Sequence, residues 1–128
     1  MPKAKQLTMP AQDRPGTLAR IAKVLGDSKV NILSMNCATF GVEGTIEIIV
    51  DDVDKAKQVL DSLRLPYMEQ DVLYLELENS PGCLAEFAAK LAAQGINVTA
   101  GYGTAVKGSD KASLVLRVSD LDAATKIR

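Results

Sequence analysis

Histidine and tryptophan are absent from this 128-residue chain, cysteine occurs twice, and aromatic residues make up only 4%. Without histidine there is no His-based triad, no histidine metal site and none of the commonest general base. Cys37 and Cys83 are too few for a zinc cluster. They permit at most one disulfide, and the plain reading is two reduced thiols. Neither sign of charge is in excess: 15 Lys and Arg stand against 16 Asp and Glu, with the basic residues scattered. That offers no cationic surface for phosphates. The scarcity of aromatics also removes the stacking platform of an RNA-binding sheet. No apolar run reaches membrane-spanning length, and no apolar stretch follows Lys3 and Lys5 as in a signal peptide. The expected setting is the cytoplasm, with neither nucleic acid nor membrane as a partner. No cofactor or metal is expected.

What is present is an ordinary globular composition, 47% hydrophobic and 24% charged, enough for one domain or two very small ones. An internal repeat organises it. Asp13–Ile32 aligns with Asn79–Val98 at an offset of 66, with seven of twenty positions identical. Roughly one match is expected by chance. The matches include Pro15/Pro81, Gly16/Gly82, Leu18/Leu84, Leu25/Leu91 and Asn31/Asn97. The correspondence resumes at an offset of 68, pairing Ile46, Ile48 and Val50 with Leu114, Leu116 and Val118. The change of offset places a two-residue insertion in a hairpin tip, where insertions are tolerated.

Each copy has the same order of elements. Leu7 and Met9, like Leu73, Leu75 and Leu77, alternate with polar residues as half-buried strands do. A Pro-Gly pair stops the strand, and Pro15 and Pro81 suit the first turn of a helix. Leu18, Ile21, Ala22 and Leu25 then form one apolar stripe, as do Leu84, Phe87, Ala88 and Leu91. Gly95 suits a helix C-terminus, and Lys29 is its less comfortable counterpart. A strand opens at Asn31 or Asn97, turns follow at Gly41–Gly44 and Lys107–Asp110, and a further strand spans Thr45–Val50 or Ala112–Val118. Asp52 and Asp120 read as N-caps of a second helix, whose apolar face in the first copy is Val53, Ala56, Val59, Leu60 and Leu63. A last strand is expected near Tyr67–Val72.

The order is therefore β-α-β-β-α-β. Two helices with one apolar stripe each cover one face of a four-stranded sheet. The expected fold class is α+β: two ferredoxin-like modules, residues 1–71 and 72–128, each an antiparallel sheet with helices on one face. The second copy stops short of its last strand, which would leave an edge for a partner chain to cover.

The copies agree best at the strand-to-helix corner. A helix start carries free N–H groups and the positive dipole end, so it receives a carboxylate. An Asp or Asn ahead of the proline accepts hydrogen bonds from an ammonium group. Together these describe a free amino acid, although a capped helix start with a packing glycine explains the same residues. Ala100, Gly101 and Gly103 around Tyr102 either leave room for a ligand or serve close backbone packing. Cys83 sits at a helix start but lacks a base to make it a nucleophile. Asp51, Asp52 and Asp54 read as a solvated helix start rather than a cation site.

The corners Asp13-Arg14-Pro15-Gly16-Thr17-Leu18 and Asn79-Ser80-Pro81-Gly82-Cys83-Leu84, each followed by Asn31 or Asn97, resemble the ACT domain in tandem. That resemblance implies a regulatory, non-catalytic protein that binds a small amino acid at an interface between modules and signals by changing their packing. It implies ligand contacts from Asp13, Arg14, Gly16, Thr17 and Asn31 in the first copy, and from Asn79, Ser80, Gly82, Cys83 and Asn97 in the second. The asparagine that opens the strand would act on the corner of a neighbouring module. A homodimer is the expected assembly, and a metabolic enzyme is a further candidate partner. The alternative is a regulatory subunit that docks on an enzyme of amino-acid metabolism with little ligand binding of its own. Lys29 in place of glycine, and Ala11 and Leu77 where some members carry histidine, depart from the family pattern.

Overall fold

The computed structural model describes residues 3–12, 14–40 and 43–127. The elements run β1 (Lys3–Gln12), α1 (Thr17–Asp27), β2 (Ile32–Phe40), β3 (Glu43–Val50), α2 (Val53–Ser62), β4 (Met68–Glu78), α3 (Cys83–Ala93), β5 (Val98–Ala105), β6 (Lys111–Val118) and α4 (Leu121–Ala124). The fold is α+β, with antiparallel pairing in each hairpin. No helix among the described residues is long and apolar enough to cross a membrane.

The chain forms two compact units, Lys5–Gln70 and Asp71–Arg128 together with Met1–Ala4. In the first unit the strand order is β2-β3-β1, continued by the start of β4. The register sets Leu7 opposite Ile48 and Met9 opposite Ile46, so strand alternation puts all four on one face. Ile21 and Leu25 of α1, and Ala56 and Leu60 of α2, pack on that face. Both helices therefore cover the same side of the sheet. The second unit repeats the plan with strand order β4-β6-β5. Leu73 lies opposite Leu116, and Leu91 of α3 and Ala124 of α4 complete its cluster. Lys3, which groups with this unit, donates to Asp122 at 3.0 Å.

Three details depart from the sequence expectation. Pro15 and Pro81 precede their helices instead of entering them, because Gly16 and Gly82 are the N-caps. The expected strands at Tyr67–Val72 and Leu73–Leu77 are one strand, β4. The β3 strand begins at Glu43, earlier than expected, and the preceding Gly41 and Val42 lie outside the described residues. The N-cap assignments hold: Asp52 accepts from the Lys55 amide and Asp120 from the Ala123 amide.

Candidate functional site

The two corners have one geometry. In each, a turn runs from the residue before proline to the first helical residue. The Thr17 amide reaches the Arg14 carbonyl at 3.5 Å and the Cys83 amide reaches the Ser80 carbonyl at 3.2 Å. Proline holds the first central position and glycine the second, with φ of 94° at Gly16 and 89° at Gly82. This is a type II turn, whose second central residue needs positive φ. Glycine at each corner is therefore required by the backbone.

The consequence lies at the helix start. Aspartates cap α2 and α4, but among the described residues no side chain caps α1 or α3. The amides of Leu18 and Ala19, and of Leu84 and Ala85, have no partner among the described residues. They leave a cluster of unsatisfied donors at the positive end of the dipole. Thr17 turns its hydroxyl inward to the Gln12 carbonyl at 3.0 Å. The exposed Arg14 side chain has no partner among the described residues. Asp13 lies outside the described residues, so its place at this corner rests on the sequence alone.

In the second unit Asn79 ties the corner to the β5–β6 turn. Its amide nitrogen donates to the carbonyls of Ser109 at 2.8 Å and Val106 at 3.4 Å, and its backbone amide donates to Asp110. Both side-chain donations leave the Asn79 Oδ1 oxygen as the acceptor. Ser80 is exposed, and Cys83 is half-buried.

Asn31 and Asn97 sit elsewhere. The Asn31 backbone exchanges hydrogen bonds with Asp51, its amide on Oδ1 at 2.9 Å and its carbonyl taking the Asp51 amide at 3.1 Å. Ser119 does the same for Asn97. These pairs fix the strand entry and leave both asparagine side chains exposed and unbonded among the described residues. Each stands past the far end of an 11-residue helix from its own corner. A helix of that length spans about 16 Å. Neither unit alone brings its corner and its asparagine together.

A cleft of about 500 Å³ opens in the second unit between α3 and β5, lined by Leu84, Phe87, Leu91, Val98, Gly101 and Gly103 among others. The sequence points to it only through the small residues of β5.

The βαββα order, the antiparallel registers and the paired Pro-Gly corners define a ferredoxin-like α+β protein. Residues 6–64 match the family model of the ACT domain. Among solved structures, protein BT0572 from Bacteroides thetaiotaomicron is 28% identical, with a TM-score of 0.90 over 98% of this chain and 85% of that one. The ligand-free regulatory subunit of aspartate kinase from Thermus thermophilus is 14% identical, with a TM-score of 0.69 over 97% of this chain and 89% of its own. A structure of aspartokinase alpha and beta subunits is 16% identical, with a TM-score of 0.63 over 90% of this chain and 82% of that one. The last two likenesses establish the fold alone. No curated protein has a significantly similar sequence.

Proposed function

We propose that this protein is a non-catalytic sensor of a small amino acid, built from tandem ACT modules spanning residues 1–71 and 72–128. In this reading the ligand's carboxylate meets the uncapped amides of one corner. Its ammonium group meets the carboxamide oxygen of Asn79, or the Asp13 carboxylate in the first copy. The asparagine of another module, from this chain or from a second copy in a homodimer, closes over it. Binding then shifts how modules pack, and that shift is the signal. The observation that carries the reading is the contrast among the helices of a chain whose residues 6–64 match the ACT domain model. The two that follow Pro-Gly corners begin uncapped, and the other two are closed by aspartates.

A thermal-shift screen over the twenty amino acids, confirmed by calorimetry, tests it. A ligand at about 100 times its dissociation constant stabilises the folded chain by about 2.7 kcal/mol. Asn97→Ala should erase the shift and leave the unliganded melting temperature unchanged, since its side chain makes no bond among the described residues. Asn79→Ala is a less clean probe because it also releases the β5–β6 turn. A flat screen with silent calorimetry removes the sensor.

One observation favours a second reading. Leu18, Leu33 and Met35 of the first unit are exposed at 40%, 48% and 40%. Exposed large apolar side chains of this kind suit docking on an enzyme of amino-acid metabolism. Co-purification of one such enzyme with the chain, alongside a flat amino-acid screen, would select this reading.

A further inference from the structure

The two copies differ at one place that bears on the ligand. Strand register puts Met35 opposite Ile48 and Cys37 opposite Ile46 in the first unit. In the second unit the same positions are Gly101, opposite Leu116, and Gly103, opposite Leu114. All four sit on the face that their helices cover, because they pair with the core residues of β3 and β6. The second copy has thus lost two side chains at the place where its cleft opens beside α3.

The two glycines are not equivalent. A Cβ on Gly103 would stand 2.8 Å from the Ser113 carbonyl oxygen, so close backbone approach requires glycine there. A Cβ on Gly101 would meet only the end of the Leu116 side chain at 2.6 Å, with the nearest backbone atom at 3.4 Å. Its φ is not in the left-handed region. The backbone does not demand glycine at 101, and a leucine tip can rotate away. The first copy carries an unbranched thioether chain at this position.

We propose that this cleft receives the aliphatic side chain of the ligand, so that the second unit binds amino acids of the Val, Leu, Ile and Met class and the first does not. The inference rests on the amino-acid reading above. Leu84 joins the two parts of the site. Its amide is one of the uncapped donors at the corner, and its side chain, 55% exposed, forms the wall of the cleft. A carboxylate held at the corner directs a side chain of four heavy atoms or fewer past Leu84 and over Gly101. The walls are apolar (Phe87, Leu91 and Val98), so they reward burial of hydrocarbon and penalise a charged or hydroxylated chain.

Calorimetry on the full chain with glycine, alanine, serine, leucine, isoleucine, methionine and lysine tests this. Leucine, isoleucine or methionine should bind at least about tenfold tighter than alanine, the gain expected from burying an aliphatic side chain. Gly101→Met, which writes the first copy's residue into the second, should weaken leucine about tenfold or more and alanine far less. Leu84→Ser provides an independent check at an exposed wall position outside the core, and should lower leucine affinity selectively. Binding confined to glycine, alanine, serine or lysine overturns the cleft proposal and leaves the sensor reading standing. Failure of every amino acid overturns the sensor reading itself, and the cleft proposal falls with it. Leucine binding that survives both substitutions also overturns the proposal. So does a dimer that Gly101→Met dissociates with leucine affinity unchanged, since the occupant is then a second copy.

Discussion

Lys29 adopts φ of 64°, and Gly95 adopts 69° at the matching place after α3. The hydrogen bonds there are the same. Lys29 and Val30 donate back to Gly26 and Leu25, and Gly95 and Ile96 donate back to Ala92 and Leu91. This is the Schellman closure, which needs one left-handed residue. Glycine takes that conformation freely, and a residue with a Cβ gives up about 1 kcal/mol. Lys29→Gly should therefore stabilise the unliganded chain by about 1 kcal/mol, raising the melting temperature by about 4 °C. Calorimetric melting that shows no rise, or a fall, means that the lysine is not strained there. This position is readable from the sequence, because the repeat sets lysine against glycine. Asn79 is a contrasting case. Its carbonyl partners lie 27 and 30 residues away, so no local pattern assigns it to the β5–β6 turn. The sequence presents it only as a corner residue.

Among the elements, the helices are the most legible, since apolar stripes and the aspartate caps at Asp52 and Asp120 mark them. The β4 strand is not legible as one piece. Adjacent Val72 and Leu73 are both 1% exposed, so the alternation that identifies a half-buried strand breaks at its middle. The same strand carries Glu69, which anchors α2. Its carboxylate takes Lys57 at 2.6 Å and has Lys5 of β1 at 3.6 Å. The hydrogen bond from Lys57 holds the Glu69 carboxyl below the usual glutamate value of 4.5, and Lys5 adds to the effect. The same pair raises Lys57 above its ordinary 10.5. A carboxyl lowered in the folded state contributes stability above its unfolded value and loses it as the pH falls through the folded one. The Lys57 share is present up to its ordinary value and is lost only at more alkaline pH. The parent and Glu69→Gln should therefore differ in melting temperature near neutrality and converge as the medium is acidified through the lowered titration of the Glu69 carboxyl. A constant difference throughout the acid range would show that the pair does not hold α2 to the sheet.

At the scale of the whole molecule the two units are unequal, for reasons of core rather than topology. Among the described residues, the buried cluster of the first unit holds ten, drawn from β1, β3, α1, α2 and Val30 ahead of β2, and that of the second holds five. The cleft accompanies the difference: Phe87 and Leu114, which line it, are only partly buried, whereas their counterparts Ile21 and Ile46 are buried. Fewer buried apolar contacts lower the free energy of local opening. The repeat in the sequence conceals this asymmetry, because its best-matched stretch is the corner, α1 and α3, which are alike in both units. Amide hydrogen exchange on the unliganded chain should show α3, β5 and β6 exchanging through a lower-energy opening than α1, β1 and β3. A ligand seated at the second corner should slow exchange in α3 and β5 first, because a bound state must open before those amides are released. If both halves exchange at one common rate, the chain opens as a single cooperative unit and the smaller cluster does not weaken the second half. If the ligand protects α1 and β2 first, the binding corner is the one at Gly16.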